Sequence, residues 1–392
     1  MDEGSRHERE PRAERQKRIR RRRIEAGGLG TVVAVAAVTA GLMVGGNSAA
    51  DQDSSTRAPS PSKGLSDHVL AGQRVVTGFS GTTVPGYLKR AIKAGRIGGV
   101  VLFSENLGSR RDIRRLTRDF QDIKRPVGLR DTPLLIATDQ EGGLVKRLNG
   151  APDVSAEAMG ARGAAYSKRQ GKATGRNLKN AGINVDFAPV LDVARPGGEI
   201  ADTDRGFGST AKKVEKTAVP FAEGLQSTGT AATGKHFPGL GAITVNTDDA
   251  SQTVDLSKAA LRHVDMAPYE DFIGAGGRMV MVGTAVYPAF DSKPAAFSKK
   301  IVTGELRDRL GFDGVTVTDS LAAAAAQAFG SPRRLALAGA KAGMDLMLYS
   351  GYSTAVEGED AMAKKLHSGA LKRHDFRESV DRILRLRQDL NG

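Results

Sequence analysis

A chain of 392 residues without cysteine has no disulfide framework, no thiolate metal site, no cysteine nucleophile and no lipid anchor attached through a cysteine. Hydrophobic residues at 40% and charged residues at 26% are ordinary for a globular protein, and the length suits one large barrel or two ordinary domains. The formal net charge of +14 favours anionic surroundings such as a cell wall or a lipid surface, or serves solubility alone; no zinc-finger spacing or basic stripe with interleaved aromatics accompanies it, so no nucleic-acid partner is expected.

Residues 1–26 are basic and include the run Lys-Arg-Ile-Arg-Arg-Arg-Arg at positions 17–23. Residues 27–46 are free of charge and rich in Ala, Val and Gly, so residues 27–50 read as a signal peptide or signal anchor. Ser48-Ala49-Ala50 offers small residues for cleavage before Asp51. The basic side should stay in the cytoplasm and the rest be exported, to the cell surface or beyond it. Residues 51–65, rich in Ser and Pro, read as a flexible linker, and residues 66–392 as the folded body.

Eight short apolar runs follow: Arg74–Phe79, Gly98–Phe103, Leu134–Asp139, Asn184–Val190, Ala231–His236, Met279–Ala285, Gly314–Asp319 and Asp345–Ser350. Helical patterns lie between them, as over Tyr87–Ala94, Arg111–Ile123 and Ala156–Ala181. Apolar strands alternating with helices predict a parallel sheet covered on both faces, and eight such units predict a closed (β/α)8 barrel. The competing open doubly wound sheet needs a glycine-rich phosphate turn after its first strand; Gly78-Phe79-Ser80-Gly81 lacks the third glycine.

Polar residues gather at the carboxyl ends of these strands, the active-site face of a barrel: Asp139, Asp186, Lys235, His236 and Asp319. In Thr138–Gly143, Asp139 can accept hydrogen bonds from two sugar hydroxyls, and Arg147 can add a donor. Arg205 sits in a loop, Asp204–Gly208, whose signal is weak alone. Lys235-His236 brings two donors before a Pro-Gly turn. Asp319 ends the seventh strand between hydroxyl residues; it is either a nucleophile able to attack an anomeric carbon or the N-cap of a helix over Leu321–Ala328.

Taken together, Gly78–Gly81, Gly98–Phe103, Asp139–Leu148, Gly182–Val193, Arg205–Ser209, Lys235–Gly239 and Gly311–Leu321 resemble glycoside hydrolase family 3, most closely its single-barrel β-N-acetylglucosaminidases of bacterial cell-wall turnover. The resemblance spans about Val75 to Leu390. It implies a retaining glycosidase with Asp319 as nucleophile, and with Asp139, Arg147, Arg205, Lys235 and His236 holding the sugar. It implies neither metal nor organic cofactor. The expected partner is a carbohydrate, such as a peptidoglycan fragment or another β-glycoside. A monomer is expected, touching membrane only through an uncleaved N-terminal segment.

One loop departs from the family pattern. Those glucosaminidases carry an Asp-Ser-His triplet whose histidine is the acid/base, whereas this chain has Asn246-Thr247-Asp248, and none of its six histidines lies in the loop. Three explanations stand side by side. Asp248, or its neighbour Asp249, acts as a protonated carboxylic acid, its pKa raised by burial or by Asp319. Alternatively the barrel binds sugar with weakened catalysis, or it cleaves glycosides whose leaving groups need little acid help. Two non-catalytic readings stand beside the enzyme: a surface-tethered sugar-binding module on a degenerate barrel, and a structural protein held to the wall by its charge.

Overall fold

The computed structural model describes residues 60–390. The expected basic region, the export segment and most of the expected linker lie outside the described residues. Among the described residues no helix is long and apolar enough to cross a membrane. Contacts with the body begin at Ser60, earlier than residue 66: Ser60 Oγ donates to Asp381 Oδ2 at 2.7 Å, and the Ser62 N–H donates to Asp381 Oδ1 at 2.9 Å.

All eight apolar runs become strands, each shorter than its run except the fifth, which extends one residue further to Phe237. They are β1 (Val75–Thr77), β2 (Gly99–Val101), β3 (Leu135–Thr138), β4 (Val185–Asp186), β5 (Ala231–Phe237), β6 (Met279–Val282), β7 (Val315–Thr318) and β8 (Met347–Tyr349). Each pairs in parallel with the next in chain order from β1 to β7, and β8 pairs with β1 in the register Val75↔Met347. The ring closes between β7 and β8 through the bridge Val317↔Leu346, with Thr318 N to Leu346 O at 3.0 Å and Leu346 N to Thr316 O at 2.8 Å. This is the expected (β/α)8 barrel, and closure leaves no open sheet edge.

Alternation along the strands splits the core into two shells. Val76, Val101, Leu135, Val185, Met281, Val315 and Leu348 fill the barrel interior. Their neighbours Val75, Val100, Ile136 and Val280 pack outward against the helices. The C-terminal helix, Arg373–Asp389, closes the amino-terminal end, where Ile383 and Leu386 join the interior cluster. Two expected helices differ. Ala156–Ala181 is two helices, Ala156–Arg162 and Ala164–Asn180, because Gly163 between them takes φ +85°, a conformation that interrupts the helix. The helix expected over Leu321–Ala328 spans only Ala324–Gln327, with Ala323 at its N-cap. Asp319 is therefore not a capping residue.

Candidate active site

Where the strands end, a cavity of about 390 Å³ opens, near the low end of the roughly 300–1,000 Å³ usual for small-molecule sites. Asp139, Arg147, Arg205, Lys235, His236, Asp248 and Asp319 all line it, although they come from four different strands and the connections that follow them. Asp249 is exposed and is not among the lining residues.

The floor is a charge network. Lys235 Nζ lies 2.8 Å from Asp139 Oδ1 and 2.6 Å from Glu141 Oε1. Arg205 grips Glu141 in a two-pronged pair at 2.8 Å for each bond. Burial of Glu141 favours its neutral form, but the charges of Arg205 and Lys235 outweigh that and hold its carboxyl well below the usual range. Burial likewise pulls the Lys235 ammonium down, and Asp139 and Glu141 reverse this and raise it. Removing one partner of such a pair strands a buried charge, at about 3–5 kcal/mol. The network thus presents fixed cations to the cavity. Arg147 stands farther off, 3.9 Å from Asp139 Oδ2, and its Nε is buried without a hydrogen-bond partner among the described residues.

Local structure aims these groups. The glycines after Asp139 turn the chain into a hairpin, Gln140–Gly142 against Val145–Lys146. The buried Gln140 amide staples that hairpin: Oε1 accepts from the N–H groups of Arg147 (3.0 Å) and Leu148 (2.9 Å), and Nε2 donates to Leu148 and Ala151 carbonyls. Arg147 therefore projects from a fixed base. At the end of β5, the His236 Nδ1 is 2.7 Å from Asp192 Oδ2. Asp192 Oδ1 accepts from the His236 N–H at 3.1 Å and the Leu240 N–H at 2.7 Å, so this carboxylate acts as acceptor and His236 Nδ1 as donor, leaving Nε2 as the other ring nitrogen. Gly239 has φ +137°, and a Cβ there would lie 2.7 Å from the Asp265 Cβ, so only glycine fits this turn.

Asp319 contrasts with the other carboxylates. Its Oδ1 accepts the Ser320 N–H at 2.7 Å, and it forms no ion pair among the described residues. A half-buried carboxylate left uncommitted beside fixed cations is suited to attack an electrophilic carbon.

The variant loop is docked beside it. The carbonyls of Thr247 and Asp248 accept the N–H groups of Ala325 (3.1 Å) and Ala324 (3.2 Å), at the start of the short helix that follows Asp319. Asn246 Oδ1 accepts the Asp248 N–H at 2.9 Å, and its amide reaches Glu199 Oε1 at 3.3 Å. The Asp248 residue keeps an exposed edge at the rim, yet packing around its carboxyl raises the pKa, and the charge of Asp319 raises it further against the opposing pull of His236 and Arg205. A carboxyl biased toward its protonated form thus shares a cavity with one that is uncommitted.

Beneath the network lies Asp186, fully buried. Its Oδ1 accepts the Gln140 N–H at 2.9 Å, and its Oδ2 has no partner among the described residues. Burial pushes its pKa up to about 8, with Asp139 and Glu141 adding to the effect against the Gln140 N–H and Lys235. The folded state then binds this proton more tightly than the unfolded chain, so its contribution is full below about pH 4 and is lost as pH rises through about 8. Asp186→Asn, which keeps the acceptor for Gln140, should flatten the fall of melting temperature between pH 5 and 9. Parallel melting curves for variant and wild type across that range would contradict the protonated assignment.

Three carboxylates were missed by sequence reasoning as site residues: Glu141, Asp192 and Glu199. Glu141 and Asp192 lie within motifs noted above, but spacing does not reveal that Glu141 joins two cations or that Asp192 orients His236. Glu199, a cavity-lining residue on the helix Glu199–Asp202, belongs to no recognisable pattern. Of the groups with metal-ligand spacing among the described residues, His68–Glu359–Asp360 and His374–Asp375–Glu378, neither contributes to the cavity, and Arg96 already bridges Glu359 and Asp360.

A closed parallel barrel with a small polar cup, cationic donors and an uncommitted strand-end carboxylate has the architecture of a barrel glycosidase. Residues 80–386 match the family model described as the glycosyl hydrolase family 3 N terminal domain, and the chain belongs to glycoside hydrolase family 3. It is 36% identical to a protein of Arthroderma benhamiae described as an uncharacterized secreted glycosyl hydrolase, over 83% of this chain and 94% of that protein. Among solved structures it is similar to a family 3 β-N-acetylglucosaminidase from a Paenibacillus species (33% identity, TM-score 0.79), covering 84% of this chain but 64% of that one. It is also similar to a β-N-acetylhexosaminidase from Beutenbergia cavernae (33% identity, TM-score 0.77), covering 82% of this chain and 98% of that one.

Proposed function

We propose that the chain is an exported, monomeric retaining β-N-acetylhexosaminidase that releases terminal β-linked N-acetylglucosamine from cell-wall glycans such as peptidoglycan fragments. The observation that carries the mechanism is the pairing in one cavity of uncommitted Asp319 with Asp248, whose pKa is raised. The activities of the Paenibacillus and Beutenbergia proteins support the choice of sugar. Export rests on the basic and apolar runs at the start of the chain and on the secreted description of the Arthroderma relative.

In the first step the Asp319 carboxylate attacks the anomeric carbon, and the glycosidic C–O bond breaks as Asp248 gives its proton to the departing oxygen. In the second, the Asp248 carboxylate takes a proton from water, whose oxygen displaces Asp319 from the same carbon. Two inversions return the β-anomer. Meanwhile Asp139, Arg147, Arg205, Lys235 and His236 hold the sugar hydroxyls, with Arg205 acting partly by fixing Glu141.

The test is turnover of an aryl N-acetyl-β-glucosaminide followed by proton NMR. The first-formed sugar should be the β-anomer, and a slow-releasing fluorinated substrate should leave a sugar mass on the peptide containing Asp319. Initial release of the α-anomer would overturn the mechanism; failure to hydrolyse any aryl β-glycoside would overturn the activity.

A further inference from the structure

Away from the mouth, two adjoining cavities of about 530 and 420 Å³ run along the outside of the barrel beside the helix Pro332–Ala342. Lys299 and Lys341 line both, so the two are one groove. That helix follows β7 back toward the amino-terminal end and is about 16 Å long for its 11 residues. Arg334 lies in its first turn and Lys341 in its last, while Lys372 precedes the helix that plugs the barrel.

The groove carries an excess of cations. Lys293, Lys299, Arg334, Lys341 and Lys372 are exposed, and none forms an ion pair with a described residue. Other cations there are already engaged: Arg307 and Arg382 hold the buried Asp345, and Arg333 faces Glu357 at 3.5 Å. The upper cavity has no acidic lining residue; the lower one has Asp375 and Glu378. Uncompensated like charges aligned on one face raise the energy of the bare surface, and a polyanion lowers it. Between the charges the floor is apolar, with Phe329 and Leu337 partly exposed.

We propose that this groove holds a linear polyanion in which phosphate groups alternate with carbon-rich units. The five cations meet the repeated phosphates, and the apolar floor meets the units between them. A membrane surface fits less well. The exposed large hydrophobic residues of the described structure are Tyr87, Val127, Leu144 and Val245, and none lines the groove, so nothing there inserts among lipid chains. A nucleic-acid strand needs open aromatic faces, whereas the Phe329 ring is stacked on Phe297 at 5.1 Å and lies under the Arg334 guanidinium at 4.8 Å. Because the groove lies on the flank, an enzyme held through it keeps its mouth free. The proposal does not rest on the catalytic assignment.

The test uses the full chain with a fluorescent synthetic poly(glycerol phosphate) of about ten units. The groove variant Lys299→Glu/Lys341→Glu should bind about tenfold more weakly than wild type, with the difference shrinking as salt rises. Lys212→Glu/Lys216→Glu, on the helix Ala211–Gln226 between β4 and β5, makes the same charge change and should keep wild-type affinity, which subtracts any contribution from the basic first residues. In acetylation footprinting, the polymer should protect Lys293, Lys299, Lys341 and Lys372, and hydrolysis of an aryl glycoside should be unchanged in both variants. Equal affinity of the groove variant and wild type would overturn the proposal. So would unprotected groove lysines, or equal protection by phosphatidylglycerol vesicles or a ten-nucleotide single strand at matched phosphate.

Discussion

Asp319→Ala is expected to lower kcat on aryl N-acetyl-β-glucosaminides by at least about 10⁴-fold, about 5 kcal/mol of barrier, with the melting temperature little changed. The size follows from the proposed chemistry: without the carboxylate no covalent glycosyl-enzyme forms, and the fixed cations of the cavity offer no nucleophile. The small structural effect follows from the setting. Asp319 has no ion-pair partner among the described residues to strand, and its side chain receives one hydrogen bond, from Ser320 N–H. Calorimetry should show the variant still binding N-acetylglucosamine, because the Asp139–Lys235–Glu141–Arg205 network is intact. Turnover within tenfold of wild type would remove Asp319 from the mechanism.

Asp248→Asn is expected to act selectively. With a poor leaving group, such as the second sugar of a disaccharide, kcat/KM should fall by about 10²–10⁴-fold, the usual worth of a positioned general acid. With a dinitrophenyl leaving group the first step should change little, since that oxygen departs without a proton. The pH profile separates this from a merely structural role. In the wild type, kcat/KM on the disaccharide should decline as pH rises through the Asp248 pKa, which burial and Asp319 place above the ordinary carboxylate value. In Asp248→Asn that alkaline limb should disappear. In Asp319→Asn, the loss of a neighbouring negative charge should lower the Asp248 pKa, a shift measurable by carboxyl NMR. An equal loss for both leaving groups would argue against proton transfer by Asp248. Asp249, outside the cavity lining but among the charges that raise Asp248, should tolerate Asn with less than about a threefold change.

The fold was legible because its signals are local and repeated. Each apolar run followed by an amphipathic helix reports one unit, and eight reports fix a closed ring even when individual boundaries are off by a few residues. Where one residue overrode the periodicity the expectation failed, as at Gly163, whose backbone conformation splits a continuous helical pattern. Likewise, the alanine-rich segment after Asp319 has good helical propensity. Its first residues nevertheless form turns, and the helix begins where Ala324 and Ala325 donate to the carbonyls of the variant loop.

The candidate site was legible to a different depth. Asp139, Lys235, His236 and Asp319 announce themselves as polar residues closing apolar strands; Arg147 and Arg205 gave weaker signals from their loops, which the family's motifs strengthened. Glu141 and Asp192 did not stand out, because their importance lies in partners 64 and 44 positions away, Arg205 and His236. From sequence, Asp248 was the first candidate for the missing acid and Asp249 a weaker one, and nothing local to the loop separates their environments.

By itself, the order of residues determined an alternation of apolar strands and helices, the end of the barrel that carries chemistry, and the absence of the family's histidine from its usual loop. These depend on neighbours in the chain, whose backbone preferences and hydrophobic periods act over a few residues. Only the folded chain decided which carboxyl stays uncommitted, which is neutralised by Lys235 and Arg205, and which retains its proton. Charge state is set by burial and by the nearest opposite charge, and both are properties of distance in space.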